Sequence, residues 1–216
     1  MTLYLFERIK NMDNVVIYVH GQDGSRDEAE HYRPLFKDSD VIGFDYTSVF
    51  PWDAVKEFSA FFDSVREKYR SVTLIANSIG AYFAMLSLAG KKIDRAFLIS
   101  PVVDMEKLIT DMMSWAGVTE EELCERGEIR TSFGQILSWK YLMYARVHPI
   151  TWNVPTLIIY GDCDSLTSYA TVSAFAERSG SELAVMENGE HWFHTPEQMD
   201  FIDRQITDYS ERISNP

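Results

Sequence analysis

Leu74-Ile75-Ala76-Asn77-Ser78-Ile79-Gly80-Ala81 is the stretch on which the fold turns. The apolar run Val72–Ala76 stops at Asn77, and Ala81–Leu88, apolar almost all round, begins directly after Gly80. A short apolar run predicts a strand covered on both faces, and an all-round apolar segment predicts a helix buried against a sheet. Ser78 therefore sits at a strand-to-helix turn, with small residues two before and two after it, Ala76 and Gly80. Such a turn strains the serine backbone and projects its hydroxyl above the sheet edge, the posture of a nucleophile. Taken alone, Ser78 reads as a helix N-cap, the more frequent job of a serine at a helix start. The strand before it and the buried helix after it favour the nucleophile.

Reading outward in both directions, further strands are expected at Val15–Val19, Val41–Phe44, Ala96–Ile99, Thr156–Tyr160 and Leu183–Met186, with a weaker one near Leu3–Phe6. Helical patterns lie between them. Ser25 and Glu28 have capping-box spacing before a helix reaching Phe36. Trp52–Tyr69 puts Val55, Phe58, Phe62, Val65 and Tyr69 on one face. Thr195, Pro196 and Gln198 start a last helix whose buried stripe is Met199, Ile202, Ile206 and Tyr209. This alternation predicts an α/β domain, a mostly parallel sheet flanked by helices with right-handed crossovers. At 216 residues the chain is long enough for one such domain.

Residues 102–153 break the alternation. They hold no good strand and read as two or three helices. Met105, Leu108, Ile109, Met112 and Met113 follow helical spacing up to a stop at Gly117. Thr119 with Glu122 opens a second helix, and Gln135–Tyr144 forms a third. The expectation is a helical cap inserted over residues 102–153 of a single domain spanning 1–216.

Three more strand ends carry polar residues. Val16-Ile17-Tyr18-Val19 runs into His20-Gly21-Gln22-Asp23-Gly24-Ser25, a loop able to set the Gln22 N–H beside Ser78. With the Ile79 N–H it would form an oxyanion hole. An ordinary glycine-rich turn fits this loop as well, and no Gly-Lys-Ser/Thr follows to make it a phosphate loop. Leu157-Ile158-Ile159-Tyr160-Gly161-Asp162-Cys163-Asp164 places two acids past a strand, and Asn188-Gly189-Glu190-His191 places a histidine past the last one. A serine hydroxyl needs a base to take its proton, and that imidazole needs a carboxylate to fix its tautomer. Each residue has a plainer role available: Asp164 as a helix cap with Asp162 as the acid, His191 as a satisfied structural histidine, His194 as a competitor. The order Ser78, Asp164, His191 at successive strand ends favours a triad.

The His20-Gly21 loop, Ala76-x-Ser78-x-Gly80, Gly161-x-x-Asp164 and Gly189-x-His191 together resemble the α/β-hydrolase superfamily over essentially the whole chain. More narrowly, His191–Thr195 resembles the ending of small uncharacterised bacterial serine hydrolases of that superfamily. The resemblance implies an acid three residues after the glycine, hence Asp164 rather than Asp162. It also implies that residues 102–153 are the lid inserted after the sixth sheet strand. The superfamily spans esterases, lipases, thioesterases, peptidases, C–C hydrolases and non-enzymatic members, so the fold does not choose a substrate.

Composition narrows the partners. The formal net charge is −13, which disfavours nucleic acid and anionic membrane as partners. Two cysteines, Cys124 and Cys163, show no metal or CxxC spacing, and a reducing compartment suits them. The opening Met-Thr-Leu-Tyr-Leu-Phe-Glu-Arg is neither signal peptide nor membrane span, so a soluble cytoplasmic protein is expected. No metal constellation or cofactor is expected, and a small-molecule substrate is. Met112, Met113, Trp115, Trp139 and Tyr141 of the cap, with Trp192, are candidates for its pocket. The expected activity is hydrolysis of a small carboxylic ester or related acyl compound. A non-catalytic ligand binder on the same fold, or a peptidase or C–C hydrolase, is the competing expectation.

Overall fold

In the computed structural model, which describes residues 13–214, every expected strand within that span forms to within one residue at each end. The strand expected near Leu3–Phe6 lies outside the described residues. The sheet is built from β1 (Asn14–Val19), β2 (Asp40–Phe44), β3 (Ser71–Asn77), β4 (Arg95–Ile99), β7 (Thr156–Gly161) and β8 (Glu182–Met186). Its spatial order is β2-β1-β3-β4-β7-β8 and every pairing is parallel. Parallel strands need crossovers, and these bury both faces of the four inner strands, which is why their runs are apolar throughout, while the edge strand β8 leaves Val185 40% exposed.

Alternate residues of each strand feed separate cores. Ile17, Val19, Leu74, Ala76, Leu98 and Ile158 pack on one face, against α1 (Pro51–Arg66) and α2 (Ser78–Leu88). Val16, Tyr18, Ile75, Phe97, Ile99 and Ile159 pack on the other, against a 3-10 helix (Arg26–Leu35) and α7 (Pro196–Ser214). A further crossover helix, α6 (Tyr169–Ser179), joins β7 to β8. Helix α2 starts at Ser78 itself and is buried over almost its whole length, as its all-round apolar sequence requires.

The helix opened by Ser25 has both halves of the expected capping box but is 3-10 rather than α. Pro34 bars α-helical bonding in its last turn, since it lacks the N–H of an α-helical bond and pushes the preceding residue away from α geometry. Helix α1 stops at Arg66, before Tyr69, whose hydroxyl instead donates to Asp40 Oδ2 at 2.9 Å.

Residues 102–153 form α3 (Met105–Ala116), α4 (Glu120–Arg126) and α5 (Trp139–Val147) between β4 and β7. Gly117 ends α3 in the left-handed region (φ 66°) and Thr119 caps α4, as expected. The expectation of no strand here is corrected by an antiparallel hairpin of β5 (Glu128–Arg130) and β6 (Ile136–Ser138). Three-residue strands are too short to show an alternation, and the turn rests on Gly134 at φ 89°. The third helix consequently begins at Trp139 rather than Gln135.

Candidate active site

The chain runs outward from β1 to β2 and then back across to β3. The crevice where strand order reverses therefore lies between the carboxyl ends of β1 and β3, where open α/β sheets bind ligands. The His20-Gly21 loop leaves β1 there and Ser78 leaves β3. Ser78 has φ +50°, a left-handed conformation that costs a non-glycine residue about 1–3 kcal/mol. The turn is this sharp because the two loops touch. A Cβ on Gly80 would lie 2.1 Å from the His20 carbonyl oxygen, and one on Gly21 would lie 3.2 Å from Ser78 Cβ. Gly80 is thus the small residue that lets the β1 loop close on the serine turn.

The far edge of the site is assembled by a second glycine contact. A Cβ on Gly161 would fall 2.3 Å from the Gly189 carbonyl group, so the loops after β7 and β8 lie directly on one another. The Cys163 N–H donates to the Gly189 carbonyl at 2.9 Å, and the Asp162 N–H to that of Met186 at 3.1 Å. These contacts bring together Asp164 and His191, which lie 27 residues apart in sequence.

Ser78 Oγ is 2.8 Å from His191 Nε2, and His191 Nδ1 is 2.7 Å from Asp164 Oδ2. A carboxylate only accepts, so Nδ1 carries the proton and Nε2 is free to accept from the serine hydroxyl. The Asp164 side chain is fully buried and each oxygen takes two donors. Oδ1 accepts the Leu166 and Thr167 N–H groups at 2.7 and 3.0 Å. Oδ2 accepts the Thr167 hydroxyl at 2.9 Å beside His191. Burial pushes its carboxyl upward, but the His191 hydrogen bond and charge, with the two N–H donors, hold it below its ordinary value. Thr167 is itself fixed, since its carbonyl accepts the buried Tyr160 hydroxyl at 2.8 Å. Burial, with Asp164 and Asp162 adding negative charge, raises that phenol to about 12, so it stays a donor.

Asp164 is therefore both the partner of His191 and the acceptor of two N–H groups that follow it, while Ser168 caps α6. Asp162 is exposed and takes no part in the Ser78–His191 chain. His194 turns away: its Nδ1 lies 2.6 Å from the Trp192 carbonyl, and its ring stacks on Trp192 at 4.4 Å. Gln22 follows Gly21 in the loop beside Ser78, and Ile79 is the next residue of α2, whose first N–H groups have no helical partner.

The expected pocket residues are dispersed. Met112 packs against the main core. Trp115 is half exposed, with its ring edge-on to Phe133. Trp139 lines a groove of about 570 Å³ with Phe50, Trp52 and Lys140, and neither Ser78 nor His191 is among its lining residues. Tyr141 links that groove to α2, its ring 6.2 Å from Trp52 and 6.5 Å from Tyr82. Trp192 is 69% exposed, next to His191 in sequence. Among the described residues no His, Cys, Asp and Glu group has metal-binding geometry, and no helix is long and apolar enough to cross a membrane.

Two features escaped the sequence reading. Thr167 stands three residues after Asp164, the spacing at which a capping side chain meets a backbone N–H, and that spacing would have marked it. Glu28 was seen only as a helix cap, whereas it also receives the hydroxyl of Tyr18 on β1.

Neither a protein-family model nor a curated protein sequence matches the chain. Solved structures do. Est1E from Butyrivibrio proteoclasticus superposes with a TM-score of 0.75 at 17% identity, covering 95% of this chain and 90% of that one. The same protein with ferulic acid bound gives 0.76 at 15% identity, covering 97% and 93%. Alpha/beta hydrolase domain-containing protein 10 from mouse gives 0.69 at 16% identity, covering 92% and 90%. The esterase PF2001 from Pyrococcus furiosus gives 0.57 at 22% identity, covering 93% and 82%. Likeness at these identities establishes the α/β-hydrolase fold, and the chemistry has to be argued from this chain's own residues.

Proposed function

We propose that this chain is a serine hydrolase that cleaves a small carboxylic ester, or a related acyl compound, through an acyl-enzyme on Ser78. The observation that carries the proposal is the chain Ser78 Oγ–His191 Nε2–Asp164 Oδ2, with links of 2.8 and 2.7 Å, on a serine held at positive φ. Ser78 Oγ attacks the substrate carbonyl carbon while His191 Nε2 takes its proton. The carbonyl electron pair moves onto oxygen, and the Gln22 and Ile79 N–H groups hold the resulting oxyanion. Collapse expels the alcohol, which leaves with the proton from His191. A water molecule then repeats the sequence on the acyl-enzyme and frees the acid. Asp164 stays ionised throughout and supports the imidazolium.

Two of the structural neighbours are an esterase by name and a protein solved with ferulic acid bound, which favours an acyl ester over an amide or a diketone. In this reading residues 102–153 act as a cap over the sheet. Two free, exposed cysteines suit a cytoplasmic setting.

The test is to treat folded protein with a fluorophosphonate and locate the adduct by mass spectrometry, beside Ser78→Ala. Labelling at Ser78 that vanishes in the variant is the expected result. An unlabelled, folded wild type would leave a non-catalytic ligand binder as the better description. Acyl esters compared with aminoacyl amides and β-diketones then separate esterase from peptidase and C–C hydrolase.

A further inference from the structure

We infer that Glu28 is a positioning residue for the oxyanion loop, acting through Tyr18 and Ser25 to hold residues 20–25 against the Ser78 turn. The inference rests on the proposed hydrolase reading, because it concerns the loop that carries the Gln22 N–H. Three segments converge on the Glu28 carboxylate. Its Oε1 accepts the Ser25 N–H at 2.8 Å, at the end of the loop. Its Oε2 accepts the hydroxyl of Tyr18, which is 2% exposed on the strand that feeds the loop. Gly24 packs against it so closely that an added Cβ would stand 2.9 Å from Oε1 and 2.9 Å from His20 Cβ.

On its other side the loop meets the serine turn directly: a Cβ on Gly21 would stand 3.6 Å from the carbonyl oxygen of Asn77, the residue before Ser78, and 3.2 Å from Ser78 Cβ. A continuous chain therefore runs from Tyr18 through Glu28 to the Ser25 N–H. It closes a ring around Gln22, whose loop also carries a Gly24 N–H to Gly21 carbonyl bond of 3.2 Å, a His20 Nδ1 contact with that carbonyl at 2.8 Å, and the Tyr46 hydroxyl on the His20 carbonyl at 3.0 Å. A helix cap needs one oxygen of an N3 glutamate, and the second oxygen here is spent on a strand residue outside the helix. That second bond is the feature a cap alone does not explain. Tyr46 holds the start of this glycine-rich loop and Glu28 its end, and an oxyanion donor acts only when already in place.

The experiment measures ester turnover and inhibition by a trifluoromethyl ketone, whose serine adduct carries an oxyanion, in wild type, Glu28→Ala, Glu28→Gln and Tyr18→Phe. Glu28→Ala is expected to lower kcat about 10- to 100-fold with KM little changed, and to weaken ketone binding by the same factor. Glu28→Gln, which can still accept from Ser25 and meet the Tyr18 oxygen, is expected to stay within about threefold of wild type. Tyr18→Phe, which keeps the buried ring and removes the hydroxyl, is expected to fall between them, and it carries the test if Glu28→Ala does not fold. An unchanged kcat in folded Glu28→Ala, or a lower kcat without weaker ketone binding, would overturn the tether. So would an equal loss in Glu28→Gln. A wild type whose Ser78 ignores fluorophosphonate would overturn the hydrolase reading, and the tether with it. A reactive wild type beside an unaffected Glu28→Ala would overturn the tether alone.

Discussion

At the scale of single residues, the site combines one strained backbone with one saturated carboxylate. Ser78 at φ +50° lies where a Cβ costs about 1–2 kcal/mol and glycine costs nothing sterically. Ser78→Gly should therefore be more stable than Ser78→Ala by about 1 kcal/mol, both being inactive, and paired urea melts would read the difference. Equal midpoints would mean that the turn is not strained. Asp164 makes the opposite kind of prediction. Its folded pKa is lowered, so the stability it contributes is present above the ordinary carboxylate range and is lost as pH falls through the lowered value. For turnover, Asp164→Asn should cost about 10³–10⁴-fold in kcat, since an amide can present its NH₂ and stabilise the wrong tautomer of His191. Thr167→Val is subtler. It removes one of the two donors on Oδ2 and leaves a carboxylate with more negative charge for the imidazolium. The acid limb of the pH–rate profile should then move to higher pH, and a limb that stays in place would show that Thr167 only fills space.

At the scale of elements, two backbone contacts do the positioning. Gly80 lets the β1 loop meet α2, and Gly161 lets the loops after β7 and β8 meet. A methyl at either place lands within 2.3 Å of backbone atoms, which no rotamer change relieves. Gly161→Ala should therefore destabilise the protein by about 1–3 kcal/mol and, by parting Asp164 from His191, lower activity more than stability explains. Calorimetry beside turnover separates the two effects. These elements also show what a sequence can carry. The four inner strands were legible because burial on both faces leaves continuous apolar runs, the edge strands by their apolar, β-branched residues, and Ser78, Asp164 and His191 were legible as candidates because each follows such a run. The hairpin at 128–138 was not, since three residues hold too little pattern. Pro34 was visible, yet a capping box alone does not tell α from 3-10. Thr167 and the second oxygen of Glu28 were hidden for a different reason: their partners are set by tertiary contacts, and spacing along the chain names only the local one.

At the scale of the whole molecule, the sheet delivers its chemistry at one edge while the charge is spread over everything. A net charge of −13 makes a field that every charged substrate must cross before it reaches the crevice. At about 0.01 M salt that field extends roughly 30 Å, and at about 0.15 M only about 8 Å. Two esters with the same acyl group, one with a neutral alcohol and one with an anionic alcohol, therefore test whether the field reaches Ser78. For the neutral ester kcat/KM should be flat across this range of salt. For the anionic ester it should rise with salt, through KM rather than kcat, because screening removes a repulsion that acts on approach and not on the chemical step. A flat response for both would mean that the residues around Ser78 cancel the global charge locally. In that case anionic acyl compounds would return to the list of natural substrates, and the composition would have misled about them while leaving the proposed triad untouched.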